Sequence, residues 1–414
     1  MPDAPHDWTL GTLDQYISAI EAGWSPECVE EQPDFGEWGV LKVSAVTSGT
    51  FKPQAAKRLP SHLRPIPELE VHQGDVLVAR ANGVAELVGV AVEVRGAPPR
   101  LMLSDKTLRV VPRLSTLDGS FLALLLQSDR VRRQVMQIVS GSSGQKNISQ
   151  NQIRRLDVAI PPVEEQRRIA EILDSVDELI RSTERLIAKT LRLETTLASA
   201  LIEHTSSMWQ SCQLGDLLLR IEAGRSPEVP DRPAKYDEWG VLKVSAIRSR
   251  GFEEDENKVV TQHRFINDGI EVHAGDLLIS RANTPELVGL ACYIHRVRPR
   301  LMLSDKTLRL VADSHKASGQ YLARALATPL LRRQIENSGT GSSGSMKNIS
   351  QKEIRHLVVH LPPLNKQHEI VMRLQSVTTK VECEQRRLAK LQTLRSGLID
   401  DLLIGRVRVL AKGM

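Results

Sequence analysis

The chain lacks the residue patterns that announce most enzymes and most membrane or secreted proteins. Its four cysteines, Cys28, Cys212, Cys292 and Cys383, lie far apart, without the paired spacing of a zinc site or a disulfide framework, and read as incidental buried thiols. Met1 to Leu10 contains no apolar stretch resembling a signal peptide, and no uncharged run approaches the roughly 20 residues of a membrane span. The expectation is a cytoplasmic protein with no membrane partner. The histidines show no metal-ligand spacing such as HExxH; His72 and His273 each sit beside a Gly-Asp turn and read as structural. The Pro-Pro pairs occur as APPR, IPPV and LPPL, so the Asn/Asp-Pro-Pro-aromatic motif of amino-methyltransferases is missing. Asp105-Lys106 has no suitable upstream carboxylate for a nuclease, and GSSGQKNIS at Gly141 lacks the glycine spacing and Gly-Lys-Ser/Thr ending of a phosphate loop. The expectation is a protein without catalytic residues, metal or cofactor.

What is present begins with charge. A net charge of +5 and a pI near 9.0 are compatible with nucleic-acid binding without requiring it. Two long stretches each follow a Pro-Pro pair, one from Pro161 to about His204, the other from Pro362 to about Ile404. In the first, Ile169, Val176, Thr183, Thr190 and Leu197 form one row seven apart, and Ile172, Leu179, Leu186, Leu193 and Ala200 a second. In the other, Leu374, Val381, Leu388 and Leu402 lie beside Ile370, Val377, Leu391 and Leu398. These are heptad patterns, and at about 1.5 Å per residue the first helix would be roughly 60 Å long.

Aligning the chain on itself at an offset of about 201 residues brings Trp8 onto Trp209, Trp38 onto Trp239 and Gly74-Asp75 onto Gly275-Asp276. GVLKVSA occurs at Gly39 and Gly240, and RLMLSDKTLR at Arg100 and Arg300. The repeat is far longer than a solenoid unit, so each copy is a whole domain followed by its helix. Gly39 to Val46, Asp75 to Arg80, Leu87 to Val94, Thr107 to Val111 and Leu156 to Ile160 read as short strands, Asp118 to Val139 as helical. Ser149 with Gln152, and Ser350 with Glu353, read as capping boxes. The expected fold class is α/β (α+β): globules over 1–160 and 207–361, helices over 161–206 and 362–414. If the second helix runs back along the first, the result is an antiparallel coiled coil between two globules, a pseudo-two-fold dumbbell.

PPVEEQRRIAEILDSVDELI from Pro161, PPLNKQHEIVMRL from Pro362 and LIDDLLIGRVRV from Leu398 resemble the helical regions of the DNA specificity subunits of type I restriction-modification systems. The globules resemble that family's target recognition domains through GVLKVSA, GDVLVARAN or GDLLISRAN, and the Gly/Ser loop before the last helix and strand. The resemblance covers essentially the whole chain in order. It implies a non-catalytic specificity subunit on double-stranded DNA, each globule reading half of a bipartite target. It further implies helices that set the spacer and dock two modification (methyltransferase) subunits, with restriction subunits joining through the complex. Members of that family usually carry two dissimilar globules; here they are close relatives, so similar, inverted half-sites are expected. The alternative is a freestanding DNA-bridging or regulatory protein without methyltransferase partners.

Phosphate contacts supply affinity, and polar side chains at base edges supply sequence. Candidates in the first copy are Lys42, Ser44, Arg80, Asn82, Ser104, Lys106 and the loop residues Ser142, Ser143, Lys146 and Asn147. Their counterparts are Lys243, Ser245, Arg281, Asn283, Ser304, Lys306, Ser342, Ser343, Lys347 and Asn348. Identity between copies fits either contact or framework, and both readings stand for Ser44, Ser104 and Asp105. Segments that differ are the candidates for base readout: Lys52, Gln54, Lys57 and Arg58 in Thr47 to Glu70, against Arg248, Arg250, Asn257 and Lys258 in Arg248 to Glu271. Arg225 replaces Trp24 in otherwise matching stretches. An ordinary variable surface loop is the competing reading. Leu173, Ile180, Ile187 and Leu201 widen the apolar stripe beyond one seam, pointing to partner helices. The candidate partner-binding residues are Ile172, Leu173, Leu179, Ile180 and Ile187, with Leu374, Val381 and Leu388.

Overall fold

The computed structural model describes residues 5–141, 144–204, 209–249, 251–340 and 346–409. The chain divides into two compact units, Met1–Glu184 with Arg387–Met414, and Arg185–Arg386. Each unit therefore holds a globule, the start of one long helix and the end of the other.

In the first unit the elements run β1 (Thr9–Thr12), β2 (Ile17–Ala22), β3 (Gly39–Leu41), β4 (Ala56–Arg58), β5 (Val76–Ala79), β6 (Ala81–Asn82), β7 (Ala91–Glu93), β8 (Leu101–Met102) and β9 (Thr107–Pro112). They continue with α1 (Gly119–Gln127), α2 (Asp129–Ile138), β10 (Lys146–Asn147), α3 (Gln150–Arg154), β11 (Asp157–Ile160) and α4 (Val163–Ala198). A four-stranded antiparallel sheet, β2-β9-β5-β7, carries the main core. The second sheet is β4-β3-β8, in which β3 and β8 are parallel. Pairs β1–β11 and β6–β10 complete the unit. Phe121, Leu122 and Leu126 of α1 pack with Val76, Leu108 and Val110 of the large sheet, all nearly inaccessible; each such side chain contributes about 1.5–3 kcal/mol of burial.

The second unit repeats this as β12 (Gln210–Gln213), β13 (Leu218–Ala223), β14 (Gly240–Leu242), β15 (Ile247–Arg248), β16 (Gly251–Phe252), β17 (Asn257–Val259), β18 (Leu277–Ser280), β19 (Ala282–Asn283), β20 (Ala291–Tyr293), β21 (Leu301–Met302) and β22 (Thr307–Ala312). Then follow α5 (Gly319–Leu326), α6 (Pro329–Ser338), β23 (Lys347–Asn348), α7 (Gln351–His356), β24 (Val358–Leu361) and α8 (Leu364–Ile404). The sheets have the same order, with one addition: β15 and β16 form a small ribbon inside the segment that differs most between copies.

Several sequence expectations are refined. Gly39 to Val46 is a three-residue strand followed by a 3-10 turn over Val43–Ala45, because Ala45 N–H turns back onto the Lys42 carbonyl at 2.9 Å. Leu87 to Val94 keeps only Ala91–Glu93 as strand. Asp118 to Val139 is two helices, broken at Ser128, whose extended backbone and hydroxyl cap α2. Both capping boxes form. Among the described residues no helix is long and apolar enough to cross a membrane.

The Pro-Pro-x-x-x-Gln repeat is explained by Gln166 and Gln367, both fully buried. The Gln166 amide donates to the carbonyls of Thr116 (2.9 Å) and Pro161 (2.8 Å) and accepts from the Asp118 N–H (2.8 Å). Gln367 does the same with Lys316 (3.1 Å), Pro362 (2.8 Å) and the Ser318 N–H (2.8 Å). One amide thus ties the first turn of each long helix to the first turn of the helix packed on the sheet. Nearby, Glu165 is buried and accepts from Arg408 at 2.8 and 2.9 Å, from Trp8 at 3.3 Å and from the Val409 N–H at 3.3 Å. Asp7 binds the same guanidinium. Hydrogen bonding to Glu165, then to Asp7, holds Arg408 more firmly protonated than usual. Lys366 stands at the position of Glu165 in the second unit and pairs instead with Glu369 at 2.7 Å.

The helices are antiparallel within the first unit: Glu165 of α4 meets Arg408 just beyond α8, and Asp177 meets Arg395. The first buried row on α4 holds, with Ile169, Val176, Thr183 and Thr190 at 8% exposure or less. The second row is shifted by one residue from the expected one. It runs through Leu173 and Glu194, which are buried, with Ile180 and Ile187 half-buried, whereas Leu179 and Leu193 are 43% and 56% exposed. Replacing Gln166 with Ala is expected to leave the Asp118 N–H and two carbonyls without partners, and to lower unfolding stability by about 1–3 kcal/mol in denaturant titration; exposed Gln145, replaced likewise, is expected to change it by less than about 0.5 kcal/mol.

Candidate nucleic-acid interface

Segments distant in sequence meet beside the large sheet. In the first unit β6 pairs with β10, setting Asn82 opposite Lys146 and Ala81 opposite Asn147. Just before β6, the Arg80 N–H donates to the Lys106 carbonyl at 2.8 Å, and the Arg80 carbonyl accepts from Ile148 at 2.9 Å. The turn carrying Lys106 is held from the other side, where the Asp105 N–H donates to Ser25 Oγ at 3.1 Å and Trp24 N–H to the Leu103 carbonyl at 3.0 Å. Gly23 allows this approach, since a Cβ there would lie 2.2 Å from the Leu103 carbonyl. Four loops are thus stitched together by backbone, with Arg80, Lys106 and Lys146 among their side chains.

The second unit builds the same arrangement. Asn283 is opposite Lys347 and Ala282 opposite Asn348; Arg281 N–H reaches the Lys306 carbonyl at 2.8 Å, and Asp305 N–H reaches Ser226 Oγ at 3.3 Å. Arg225, Arg281 and Lys306 are exposed. Lys146 and Lys347 direct their ammonium groups onto the Gly141 carbonyl (3.0 Å) and the Glu336 carbonyl (3.2 Å). Among the described residues, no carboxylate lies within ion-pair distance of Arg80, Lys106, Arg225, Arg281 or Lys306. The cluster is a net positive surface, suited to phosphate oxygens.

The candidates on the other sheet are in a different electrostatic state. Lys42 (3.0 Å) and Lys57 both bind Glu30, and Arg58 binds Glu31 at 2.7 Å with Glu37 at 3.7 Å. In the second unit Lys243 (3.1 Å) and Lys258 (3.4 Å) share Asp231, and Arg248 lies 3.8 Å from Glu256. The hydrogen bond from Lys57, and next that from Lys42, holds the Glu30 carboxyl below its ordinary range; the bond from Lys243 does most to lower Asp231. These pairs are exposed, so each is worth little in water, but a phosphate must compete with a carboxylate already in place. Lys52, Gln54 and Ser44 are exposed and Ser245 is half-buried. Asn82 and Asn283 accept from the Val84 and Thr284 N–H groups at 3.0 and 2.9 Å, leaving their amide NH₂ groups as the available donors. Ser142, Ser143, Arg250, Ser342 and Ser343 lie outside the described residues.

Some expected contacts are excluded by burial. Ser104 and Ser304 are buried and bonded to Thr107 and Thr307, closing the turn within RLMLSDKTLR, so both belong to the framework. The final arginine of that motif, Arg109, binds Glu21 (2.7 Å), Asp75 (2.9 Å) and two backbone carbonyls. Asn257 is fully buried and cannot face a base. Its amide accepts from the Ala234 N–H at 2.8 Å and donates to the Glu254 carbonyl at 2.7 Å. In the first unit the two positions are Pro33 and Ala56: proline has no N–H to satisfy, so alanine suffices. A residue nominated as variable recognition surface is thus one half of a packing pair, both members of which differ between the copies.

The partner-binding candidates are also redistributed. Leu173, Leu374 and Val381 are buried, Leu173 in the first unit's core and Leu374 in the second's, so none presents a surface to another protein. Ile172 packs against the first core. Ile180, Ile187 and Leu388 are half-buried and share a face with the buried row. Leu179 alone of the eight is exposed; Leu193, Met372 and Leu394, at 56%, 69% and 51%, join it as the apolar side chains the helices leave open. Leu193 and Leu394 occupy equivalent positions in the two copies.

The family profile described as the type I restriction modification DNA specificity domain matches residues 70–191 and 208–393. The chain is 31% identical over 195 residues to the type I restriction enzyme EcoEI specificity subunit of Escherichia coli, an alignment covering 47% of this chain and 33% of that protein. It is 24% identical over 353 residues to the putative type I restriction enzyme MjaX specificity subunit of Methanocaldococcus jannaschii, covering 81% and 79%. The chain thus spans a third of the length of the first of these relatives and most of the second. The fold resembles the crystal structure of a type I restriction-modification S subunit from M. genitalium, with a TM-score of 0.60 at 15% identity over 97% of both chains. It also resembles a chain solved in work on complex assembly of the type I R-M system, at 0.57 and 19%, over 98% and 100%.

The packing role of Asn257 has a direct test. Asn257→Ala is expected to lower unfolding stability by about 1–3 kcal/mol, the cost of an unsatisfied buried N–H, and adding Ala234→Pro is expected to restore most of it in the same denaturant titration.

Proposed function

The chain belongs to the type I restriction-modification DNA specificity domain family, and on that premise we propose that it is the specificity subunit of such a system, binding double-stranded DNA at a bipartite target. The observation that carries the reading is the basic cluster built twice on the same framework, within two segments that both match the family. We read 1–160 and 207–361 as the target recognition domains and 161–206 and 362–414 as the spacer helices. Arg80, Lys106 and Lys146, with Arg281, Lys306 and Lys347, hold phosphates, while Asn82, Asn147, Asn283 and Asn348 offer amides to base edges. Lys52, Gln54, Arg225, Arg248 and the β15–β16 ribbon supply what differs between the half-sites, whose shared framework favours similar, inverted sequences. Methylation and cleavage belong to partner subunits, and the protein works in the cytoplasm without a cofactor of its own.

Docking of modification subunits falls to the apolar side chains the helices leave open, above all Leu193 and Leu394, one in each copy. The freestanding bridging alternative has no observation of its own in its favour. Single-molecule methylation sequencing of cells carrying the system tests the whole reading: a bipartite motif is expected, and absence of any motif dependent on this chain overturns it.

Two further outcomes follow. Arg281→Ala with Lys306→Ala is expected to weaken DNA binding uniformly across sequences and to reduce the slope of log affinity against log salt by about 2, measured by fluorescence anisotropy. Leu193→Glu with Leu394→Glu is expected to abolish co-purification with the modification subunit while the circular dichroism of the chain is unchanged.

A further inference from the structure

The two long helices repeat one another without a gap, so each position of α4 has a counterpart on α8: Gln166 with Gln367, Asp177 with Thr378, Glu194 with Arg395. In the first unit Asp177 of α4 accepts two hydrogen bonds from Arg395 of α8, one of them 3.1 Å from Nη2. The two side chains are 24% and 27% exposed. In the second unit the counterpart positions meet again, Glu194 on α4 accepting from Thr378 Oγ1 on α8 at 2.7 Å. The cation here comes from the globule: Arg324 of α5 donates to Glu194 at 3.1 Å and to Thr378 at 3.0 Å. Glu194 is 7% exposed. Leu124 occupies the position of Arg324 in the first unit and packs against the core.

At these two positions α4 therefore carries two acids, and α8 carries a hydroxyl and a base. We propose that this division makes the helix pairing heterospecific, so that α4 accepts α8 and rejects the α4 of a second copy of the chain. Two copies of α4 in the same antiparallel register set Asp177 against Glu194 twice, carboxylate facing carboxylate where water is largely displaced. Two copies of α8 set Thr378 against Arg395 twice, and bring a guanidinium to Arg324 in place of the carboxylate it binds. Only the mixed pair gives every one of these charges an opposite. Polar residues in an apolar seam choose partner and register in this way at some cost in stability. The need arises from the duplication, because helices so alike otherwise invite exchange between chains, the usual route of domain swapping. The direction of the ion pair matters as much as its presence. A base at Asp177 with an acid at Arg395 still satisfies the mixed pair, but it also satisfies both self-pairings.

The inference does not depend on the DNA reading, and its test uses the full-length chain alone. Two forms of the chain with different affinity tags are co-expressed, and the amount of one captured with the other is measured. Glu194→Arg with Arg395→Asp makes α4 self-complementary and gives Arg324 and Thr378 an acid from a second copy. Capture is expected to rise about tenfold or more over wild type. Capture at the wild-type level, in a variant whose circular dichroism keeps the helical signal, overturns the proposal, as does free exchange between wild-type chains. Should that variant fail to fold, Asp177→Arg with Arg395→Asp keeps an ion pair in the native arrangement while permitting both self-pairings. Capture above wild type supports the proposal, and capture equal to wild type overturns it.

Discussion

Each long helix takes its direction from a glutamine amide that water does not reach. Gln166 and Gln367 each use two donors and an acceptor on three backbone groups, two of them at the start of the helix packed on the sheet. A buried amide of this kind is demanding, because any rotation of the helix leaves a donor or carbonyl unpaired in a low-dielectric site. The preceding proline pair reinforces it: the second proline's carbonyl accepts the first N–H groups of the helix, at 2.9 and 3.0 Å for Glu165 and Gln166. Within each unit, the seam residues that follow on the same helix inherit their angular position from this turn. In the first unit Glu165, Arg408 and Asp7 add a second tie that the other unit replaces with an exposed Lys366–Glu369 pair.

Much of this architecture was legible from the sequence because duplication acts as an internal control. Residues appearing twice at the same spacing marked the helices, the capping boxes and the Gly-Asp turns, and these are where propensity and tertiary structure agree. The misreadings have physical causes. The strands β1, β4, β6, β8 and β10 are too short, or too polar, to show an alternating pattern of their own. The second heptad row was displaced by one position because Leu179 and Leu193 are apolar but exposed, while Glu194 is charged but buried. Hydrophobicity cannot place a buried acid whose partners, Arg324 and Thr378, lie more than a hundred residues away.

The candidate interface was read less well than the fold, for a related reason. Residue type nominated Arg80, Lys106, Lys146 and their counterparts, which backbone bonds bring together in the structure. Residue type also nominated Lys42, Lys57, Lys243 and Lys258, whose charges are occupied by Glu30 and Asp231. Those acids stand well upstream in loops that sequence patterns leave undefined. A basic residue is a phosphate ligand only to the extent that its own protein has not already neutralised it. Identity between the copies proved a poor guide to function in the motif RLMLSDKTLR. There Arg100 and Arg300 hold left-handed backbone, Ser104 closes a turn and Arg109 crosslinks strands, while Lys106 alone is left facing solvent as a free cation.

The contrast between Pro33 with Ala56 and Ala234 with Asn257 bears on how the two halves diverge. A gene-conversion event that copies a short tract from one half to the other can carry one member of the pair without its companion. Moving Ala234 into the first half without Asn257 leaves a buried N–H facing a methyl group, whereas a tract long enough to carry both is structurally silent. The stretch between them includes Lys42 at the end of β3 and the turn at Thr47 to Lys52. Replacing this whole stretch at once keeps the buried pair intact, so the packing favours exchange of Lys52 and Gln54 together with their framework rather than residue by residue.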